Sequence, residues 1–543
     1  MLHLAARVCM LTRYSKDSMN VSPTFVPRIR PHELPKVCVV VVGHTPDEMV
    51  GKAESLVRDN PFVEFRLDYL PKPLLAIRPL QEFLDYHPHV YAIATCRRVA
   101  SGGKFRGPIA VELDVLAEAA QVGCQLIDLE LETAQKVKPQ QLKKLRERAA
   151  LILSYHDFRA TRKLEETLAT MEALQADFYK IVGTATTLHD NVVMMKFLEK
   201  ESYRHSLIGL CMGEQGIISR VLGLRAGSIF TFASAIAGEE TAPGQVTAKM
   251  LRDIYRADKV DTATRVYGVA GDPVAHSLSP LLMNTAFRRE NVNAVYLGLH
   301  AKTMKDLRAC MKDIPISGLS VTMPYKQEIL EDLDNTDPYT AKTGACNTVV
   351  RGQDGKLYGF NTDVAGVVRP LEHRLPLSGA KVLVLGAGGA ARAAVFGLKE
   401  RGAEVWILNR TVAKAQKLAK SARVKVLKKT DLKKLNFDVI LNATPVGMGN
   451  SKDSPLKPEE IKAKFVFDMI YDPLETPLLK AGRARGAEGI PGIEMFVQQA
   501  ARQFEIWTGK PAPADEMRRV ALMELAERAS HVAERKTAPK KEK

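Results

Sequence analysis

A lysine and a histidine in the first half of the chain stand at the ends of apolar segments. Lys180 lies in "DFYKIVG", between Tyr179 and Ile181, and His156 lies in "SYHDF". Apolar surroundings and nearby arginines lower the pKa of a lysine and make its neutral, nucleophilic amine available. Such an amine forms a Schiff base with a ketone, which acidifies the adjacent carbon, and a histidine then moves the proton. This pair predicts imine chemistry on a carbonyl substrate.

Other polar residues end or follow neighbouring apolar segments, and three of them are arginines. Three arginines at one site favour an anionic substrate, most simply a carboxylate. Asp128 and Glu130 end another segment, "IDLELE", and receive no role here. Each residue alone could be a salt-bridged structural group, whereas together they predict one binding site. The further residues assigned to that site are Glu64, Arg66, Arg97, Arg220, Thr241 and Gln245.

Eight short apolar segments between residues 36 and 235 must position these side chains. They span residues 37–43, 63–67, 90–95, 126–131, 151–155, 178–182, 207–212 and 229–232. Eight strands that alternate with helices over this length predict a (β/α)8 barrel, with an open doubly wound sheet as the alternative. In a barrel, the carboxyl ends of the strands meet at one mouth, where active sites lie.

A second lysine is accompanied by an aspartate later in the chain. Lys326 ends "SVTMPYK", and Asp363 lies in "GFNTDV". A lysine paired with an aspartate beside a reducible ketone supplies a proton donor and its orienting partner. The hydroxyls of Ser277 and Ser279 in "GDPVAHSLSP" can bind a carboxylate, although each residue alone is more typical of a cap or a turn. The same group includes Thr322 and Asn347.

An apolar strand, a glycine-rich turn and a helix follow in "KVLVLGAGGAARAAVFGL". Glycines allow such a turn to approach a pyrophosphate, which then lies at the helix N-terminus. The turn residues assigned to this role are Gly386, Gly388, Gly389 and Ala390.

The next strand ends in Asn409, Arg410 and Thr411, without an acidic residue for a ribose hydroxyl. Arg410, with Lys414 one turn later, suits a 2′-phosphate, so the sequence predicts NADP rather than NAD. A solvent-facing arginine is the alternative.

The first half resembles the type I 3-dehydroquinate dehydratases over about residues 36–258, on the segments around Glu64, His156 and Lys180 and on "GIISR" and "TAPGQ". The resemblance implies that Lys180 forms the imine with 3-dehydroquinate and that His156 is the general acid and base. The six other site residues would position the carboxylate and the ring hydroxyls. The family commonly has an acidic residue before the Gly-Gly pair at which this chain has Ser101, so we expect no acid there.

The second half resembles the shikimate dehydrogenases from about residue 266 to 509, on the serine pair, Lys326, Asp363, the glycine-rich turn, "NRT", "NATPVGM" and "FDMIY". The resemblance implies that Lys326 and Asp363 are the catalytic pair. It assigns the binding of 3-dehydroshikimate to Ser277, Ser279, Thr322, Asn347, Tyr471 and Gln499, with Gln498 as the alternative to Gln499. Asn409, Arg410 and Thr411 would bind the NADP phosphate, and Thr444 and Met495 would line the nicotinamide side.

These observations predict an α/β protein in which a (β/α)8 barrel precedes a two-lobed dehydrogenase with a Rossmann domain. The barrel would dehydrate 3-dehydroquinate, and the second half would reduce the product with NADPH. The predicted divisions are an extension at 1–35, the barrel at 36–258, a substrate domain at 262–375, a Rossmann domain at 376–490, returning helices at 491–528 and a basic tail at 529–543. Quinate oxidation by the second half and a ligand-sensing regulator on degenerate enzyme domains are the alternatives.

Composition excludes several other classes. The 78 Lys and Arg against 62 Asp and Glu give a net charge of +16, but half of the excess lies in residues 1–36 and 535–543, so we predict no nucleic-acid partner. Seven scattered cysteines without a CxxC pair, and no HExxH motif, predict neither disulfides nor a metal site. They favour a reducing, cytoplasmic location, with organellar targeting left open. No apolar run reaches the roughly 20 residues of a membrane span. The oligomeric state stays open.

Overall fold

The computed structural model describes residues 29–274, 277–449 and 451–537. Most of the predicted N-terminal extension and residues 538–543 of the predicted tail therefore lie outside the described residues. Within the described part, the strands form one eight-stranded sheet and two six-stranded sheets.

The first sheet is parallel and nearly closes into a barrel. Its strands are β1 (Val37–Val41), β2 (Phe62–Arg66), β3 (Tyr91–Thr95), β4 (Leu126–Glu130), β5 (Ala150–His156), β6 (Phe178–Thr184), β7 (Leu207–Met212) and β8 (Thr231–Ser234). The order is β7-β6-β5-β4-β3-β2-β1-β8, and β8 pairs with β1 in parallel. The Ile229 amide donates to the Leu207 carbonyl at 2.9 Å, which brings the two ends of the sheet together. The predicted barrel is confirmed, and the open-sheet alternative is wrong.

The barrel helices are α1 (Pro46–Val57), α2 (Ile77–Tyr86), α3 (Ile109–Gln121), α4 (Leu131–Ala134), α5 (Pro139–Arg146), α6 (Leu164–Glu172), α7 (Leu188–Glu201) and α8 (Ile217–Leu222). They cover the outer face of the strands, which are therefore buried on both sides. Because both faces are buried, the sequences of these strands are continuous apolar runs. Alternate residues such as Val40, Ile93, Leu126 and Ile152 fill the interior instead. β8 begins two residues later than predicted, because Ile229 bonds to β7 rather than joining the β1 ladder.

The second sheet has the order β10-β9-β11-β13-β14-β12, and β13 is antiparallel to both of its neighbours. Its strands are β9 (Arg265–Gly271), β10 (Ala294–His300), β11 (Ile316–Val321), β12 (Asn335–Thr336), β13 (Thr348–Arg351) and β14 (Leu357–Phe360). Its helices are α9 (Ser279–Arg289), α10 (Met304–Asp313), α11 (Pro338–Thr343) and α12 (Asp363–Glu372).

The third sheet is parallel, with the order β17-β16-β15-β18-β19-β20, as a dinucleotide-binding domain requires. Its strands are β15 (Lys381–Leu385), β16 (Glu404–Leu408), β17 (Lys425–Val426), β18 (Phe437–Asn442), β19 (Ala463–Asp468) and β20 (Glu488–Ile490). The helices are α13 (Gly389–Glu400), α14 (Val412–Ala422) and α15 (Pro477–Ala484).

Two final helices, α16 (Gly492–Thr508) and α17 (Ala514–Thr537), leave this sheet and pack on the second one. The indole nitrogen of Trp507 in α16 donates to the Val349 carbonyl in β13 at 3.1 Å. Phe504 and Met517 pack with Phe287 of α9 in one apolar cluster. α17 continues nine residues into the segment predicted as a tail.

The barrel and the second sheet are joined by contacts between α7 and α10. The Asp306 carboxylate in α10 accepts from the backbone amides of Leu188 and His189 at the start of α7, at 2.9 and 3.3 Å. Lys196 of α7 pairs with Asp313 of α10 at 2.8 Å. A charge on one half therefore satisfies the exposed amide groups of a helix in the other.

Gly366 sets the distance between α12 and α16. A Cβ at this position would lie 2.9 Å from the Met495 carbonyl oxygen. We expect Gly366→Ala to lower the free energy of unfolding of the second half by about 1–3 kcal/mol, because backbone cannot move aside as a flexible side chain does. Urea unfolding followed by tryptophan fluorescence measures this, since Trp406 and Trp507 are the two tryptophans of the chain.

The matched control is Gly298→Ala in β10, where a Cβ meets nothing within 4 Å. This variant should leave stability unchanged or slightly raised. Equal unfolding curves for the two variants would contradict the packing argument.

Candidate active sites

The barrel mouth is a cavity into which the carboxyl ends of several strands project. All eight residues that the sequence assigned to the first site line it, together with Val40, Ser101, Gly102, Phe158 and Phe232 among others. The eight are Glu64, Arg66, Arg97, His156, Lys180, Arg220, Thr241 and Gln245. Residues separated by more than 180 positions in sequence thus meet because parallel strands end at one edge.

Lys180 lies on β6 between anionic and aromatic neighbours. Its Nζ donates to Asp128 Oδ2 at 3.0 Å, lies 3.9 Å from Glu64 Oε1 and stands 3.8 Å from the centre of the Phe232 ring. The side chain is buried, at 5% exposure. The sequence predicted arginine neighbours for this lysine, and the structure adds a carboxylate in direct contact.

Asp128 is a buried charged residue beside Lys180 to which the sequence analysis assigned no role. Its carboxylate accepts hydrogen bonds from Lys180 Nζ and from the Ser154 hydroxyl (2.6 Å), and it pairs with Arg97 (Nη2–Oδ2 2.8 Å). Burial alone would raise the pKa of Asp128, but the charges of Arg97 and Lys180 hold it below the usual range. The available signal was its place two residues after Leu126, which points into the barrel, so Asp128 points inward as well.

His156 ends β5 beside the guanidinium of Arg97. The distance between Arg97 Nη1 and His156 Nδ1 is 3.1 Å. Because an arginine only donates, Nδ1 accepts and the ring proton belongs on Nε2. Burial, followed by the charges of Arg97 and Lys180, holds the pKa of His156 well below its ordinary value. The ring also stacks on Phe158, with 6.1 Å between centroids.

The loop after β3 folds over Arg97 and brings Ser101 into the cavity wall. A Cβ on Gly103 would lie 2.0 Å from the Arg97 carbonyl oxygen, so only glycine permits this close approach. Ser101 is 8% exposed. The neighbour of the His156 ring is therefore Arg97, two residues after the end of β3, and the loop contributes a hydroxyl rather than an acid.

Two of the arginines differ in how they are paired. Arg66 binds Asp68 through two hydrogen bonds of 2.9 Å. Arg220 is 1% exposed. Within the described chain, its guanidinium hydrogen-bonds only to the carbonyls of Phe232 and Pro243, at 3.5 Å. Burial without a carboxylate lowers the pKa of Arg220 to about 10. A buried guanidinium that lacks an anionic partner is suited to an anionic ligand.

The second site is built around Lys326 and Asp363. Lys326 Nζ lies 2.5 Å from Asp363 Oδ2, and Asn347 Nδ2 donates to the other oxygen, Oδ1, at 2.8 Å. Asp363 begins α12 and is 6% exposed, whereas the Lys326 side chain is 23% exposed. The aspartate is therefore held by a hydrogen bond from Asn347, and the lysine is the more solvent-exposed member of the pair.

A network on α16 holds this pair in place, and the sequence did not reveal it. Gln503 is 2% exposed, and its Nε2 donates to the Asn347 carbonyl at 3.1 Å and to Thr348 Oγ1 at 3.0 Å. Its Oε1 accepts from Ser320 at 2.7 Å. A glutamine more than 150 residues away in sequence gives no local signal of such a contact.

The remaining assigned residues lie around the same sheet and helix. Ser277 Oγ accepts from the Ser279 amide at 3.2 Å at the start of α9, and Thr322 follows β11. A Cβ on Gly366, one turn after Asp363, would lie 3.0 Å from Met495 and 3.1 Å from Gln499, so both residues pack against this turn of α12. Tyr471 stacks on Phe496. Gln498 instead lines a separate groove with Arg374, Glu494 and Arg518.

The glycine-rich turn fits a dinucleotide. Gly386 has a φ of +115°, and Gly388 and Gly389 at the start of α13 face open space, since a Cβ on either would meet nothing within 4 Å. Ala390 follows in the first turn of α13, and Thr444 lies against Gly386. Asn409 Nδ2 bonds to the Thr411 carbonyl at 2.9 Å, which shapes the turn after β16. Free amides and an uncovered backbone at a helix N-terminus suit a pyrophosphate.

Arg410 and Lys414 are exposed at the end of β16 and in the first turn of α14. Neither forms an ion pair with any residue that the structure describes, and no acidic residue follows β16 where a ribose hydroxyl would lie. The donor set therefore fits a phosphate ester at this position.

The described residues contain no group of three or more His, Cys, Asp or Glu placed to hold a metal ion. Helices in this part of the chain also lack any apolar stretch long enough to cross a membrane.

A barrel with a buried lysine and a dinucleotide turn beside a Lys–Asp pair define a two-activity α/β enzyme, an imine-forming lyase joined to a nucleotide-dependent oxidoreductase. A family model described as type I 3-dehydroquinase matches residues 37–262. Models of the shikimate dehydrogenase substrate binding domain, of shikimate / quinate 5-dehydrogenase and of the shikimate 5′-dehydrogenase C-terminal domain match residues 269–349, 371–461 and 492–522.

A relative in Arabidopsis thaliana, named bifunctional 3-dehydroquinate dehydratase/shikimate dehydrogenase, chloroplastic, is 35% identical over 505 residues, covering 88% of this chain and 83% of that protein. The shikimate dehydrogenase (NADP(+)) of Pyrococcus furiosus is 39% identical over 50% of this chain and 99% of its own length. A crystal structure of the shikimate 5-dehydrogenase of Thermus thermophilus with NADP(H) and shikimate is 34% identical, covers 49% of this chain and 100% of that chain, and has a TM-score of 0.45.

The chain belongs to the family of bifunctional 3-dehydroquinate dehydratase/shikimate dehydrogenases. It is an enzyme of the shikimate pathway with a lyase half and an NADP-dependent oxidoreductase half. The alternative of a ligand-sensing regulator is therefore wrong.

The position of His156 predicts its titration. Because burial and the charges of Arg97 and Lys180 lower its pKa, we expect the folded ring to stay neutral well below pH 6.5. Nitrogen-15 NMR of histidine-labelled protein measures this, with the urea-unfolded chain as the reference at about pH 6.5. Arg97→Met should move the titration upward by removing one of the two cations. A His156 signal that titrates near pH 6.5 in the wild-type fold would contradict the geometry.

Proposed function

We propose that Lys180 is the residue that forms the imine in the barrel. Its ammonium gives up one proton, and the resulting amine adds to the ketone carbon of 3-dehydroquinate. The hydroxyl of the adduct takes that proton back and leaves as water, which gives the iminium. The observation that carries this assignment is a buried lysine at the centre of a cavity lined by arginines. Arg220, which lacks an acidic partner within the described residues, binds the substrate carboxylate.

His156 then moves the proton. The iminium acidifies the neighbouring carbon. For this step the ring carries its single proton on Nδ1, which requires the Arg97 contact to Nδ1 to open, and the free Nε2 accepts the carbon's proton to give the imidazolium. The same proton is returned to the departing hydroxyl, which leaves as water, and a second water hydrolyses the imine to release 3-dehydroshikimate and Lys180. Burial and the charges of Arg97 and Lys180 keep the ring neutral before it takes up this proton, and they favour the return of the proton to the hydroxyl.

Asp128 is proposed as the positioning residue for Lys180. It holds Nζ at 3.0 Å, and its negative charge balances the iminium that replaces the ammonium. Glu64, held by Thr95 at 2.7 Å, with Arg66, Thr241 and Gln245 completes the wall that orients the ring hydroxyls.

In the second half, we propose that Lys326 donates a proton to the carbonyl oxygen of 3-dehydroshikimate and that Asp363 orients it. Ser277, Ser279, Thr322, Asn347, Tyr471 and Gln499 bind the substrate. NADPH supplies the hydride when it is bound. The turn of Gly386, Gly388, Gly389 and Ala390 would hold its pyrophosphate, with Thr444 and Met495 on the nicotinamide side. Asn409, Arg410, Thr411 and Lys414 would hold its 2′-phosphate.

The division of the chain into domains at 36–258, 262–375 with 491–528, and 376–490 is part of this proposal. The three sheets and the return of α16 to the second sheet support it. We also propose a cytoplasmic enzyme that acts on free small molecules without a nucleic-acid partner.

Trapping with borohydride tests the first half. With 3-dehydroquinate present, reduction should attach the substrate skeleton to Lys180, as peptide mass spectrometry detects. Lys180→Met should remove the label and lower dehydratase kcat by at least about 10³-fold. Asp128→Asn should keep the label but lower kcat by about 10–100-fold.

The other activity of the same chain is the control, because reduction of 3-dehydroshikimate should be unchanged in both variants. Labelling of another lysine, or full dehydratase activity of Lys180→Met, would overturn the assignment.

Replacement of Lys326 tests the second half. Lys326→Met should lower dehydrogenase kcat by about 10²–10⁴-fold, since the proton donor is lost. NADPH binding and dehydratase activity should stay at the wild-type level. Steady-state absorbance of NADPH with shikimate or quinate as the alternative polyol measures the rates, and a kcat/KM that favours quinate would replace the proposed substrate.

A further inference from the structure

A dense row of cations begins at the proposed 2′-phosphate site. Residues 410–434 contain ten Lys or Arg and one acidic residue, a net charge of +9. The members of this cationic row are Arg410, Lys414, Lys417, Lys420, Arg423, Lys425, Lys428, Lys429, Lys433 and Lys434. All ten are exposed. A charge of this size in 25 residues exceeds half of the net charge of the whole chain.

Most of these charges are not neutralised by neighbours. Lys425 pairs with Glu404 at 3.6 Å, Lys429 with Glu460 at 4.0 Å and Lys434 with Asp431 at 2.8 Å. Within the part of the chain that the structure describes, the other seven make no ion pair. Structural salt bridges therefore do not account for the row.

The fold arranges the first part of the row along one side of α14. Ala415, Leu418, Ala419 and Ala422 form the buried face of this helix. Lys417 and Lys420 are separated from that face by about half a helical turn at 100° per residue, so they project most directly into solvent. Lys420 lies six residues, about 9 Å along the axis, beyond Lys414. Beyond Lys414, the row thus leads away from the proposed cofactor site, and Lys417 and Lys420 are not part of its contact surface.

The chemistry of the row favours a small polyphosphate over a nucleic acid. Residues 409–434 contain no aromatic side chain on which a base could stack. The nearest ring, Trp406, packs on Phe437 and is covered by Lys425 at 4.7 Å. The row is instead continuous with a turn that fits a dinucleotide, and the 2′-phosphate monoester of NADPH alone carries a charge of about −2 at neutral pH.

We propose that the cationic row steers NADPH to its site, so that Lys417 and Lys420 raise the rate of cofactor capture without touching the bound cofactor. This inference rests on the proposed function, because it places the phosphate at Arg410 and Lys414. A field of one sign beside a binding site raises the rate of association with an oppositely charged ligand by about 10–10³-fold and loses its effect as salt increases. The screening length falls from about 30 Å at 0.01 M salt to about 3 Å at 1 M, which brackets the distance from Lys420 to the site.

Stopped-flow binding of NADPH to the full chain, followed by cofactor fluorescence, tests this steering. The double variant Lys417→Glu/Lys420→Glu should lower the association rate constant by about tenfold at 0.01 M salt and leave it unchanged at 1 M. The dissociation rate constant and dehydrogenase kcat should stay within about twofold, since rim charges act on association. NADH, which lacks the monoester, should show a smaller difference between the proteins.

The matched control is Lys143→Glu/Lys144→Glu, which makes the same change of charge on exposed residues of α5 in the barrel. It should bind NADPH at the wild-type rate at every salt concentration. An equal loss in both double variants would show an effect of net charge, and an unchanged rate in Lys417→Glu/Lys420→Glu would remove the row from cofactor capture; either result overturns the proposal.

Failure of the proposed cofactor site gives a different result. In that case wild-type protein shows no saturable NADPH binding at 0.01 M salt, and steering is overturned together with the site on which it rests. A duplex DNA probe forms the last arm. If Lys417→Glu/Lys420→Glu loses DNA retention but keeps the NADPH association rate, the row is a surface that binds polyanions, and steering is overturned.

Discussion

The first active site depends on a single buried carboxylate. Asp128 lies at 2% exposure and joins Lys180, Arg97 and Ser154. Without it, the two buried cations would lose the carboxylate that pairs with both of them, and removing one partner of a buried ion pair costs about 3–5 kcal/mol. Arg97 in turn contacts the His156 ring, so the proposed nucleophile, the proposed base and the cation beside that base are positioned through one residue.

The second active site positions its lysine–carboxylate pair in a different way. Its lysine is part-exposed, and only the aspartate is fully supported by neutral groups. Gln503 and Thr348 act through Asn347, so the support comes from a helix that has left the dinucleotide-binding sheet and returned to the substrate sheet. The arrangement of the Lys326–Asp363 pair therefore depends on how closely α12 and α16 pack together. The barrel site instead depends on the pairing of neighbouring strands in one sheet.

The sequence predicts the parts of this molecule that follow from periodicity and from short motifs. Eight apolar segments were enough to predict the barrel, and the residues at their ends converge on one cavity because parallel strands share an edge. Asp128 was visible but was given no role, since its partners lie just after β3 and on β5 and β6, and only the register of these strands brings them together. Gln503 could not be found, because a helix interior gives no sign of which distant side chain it supports. The end of α17 was missed because a charged segment without an apolar face carries no helical periodicity, while its helix continues from the packed residues before it.

Asp306 makes one helix of the barrel depend on a residue of the second half. A carboxylate on the dehydrogenase side completes the hydrogen bonds of a helix that belongs to the dehydratase barrel. Two proteins that merely share a linker can be separated by a cut in the gene, with each product as complete as before. Here the cut would replace a carboxylate acceptor by water at two backbone amides of α7, so the separated barrel would lose a charged contact at the start of this helix that the fused chain has.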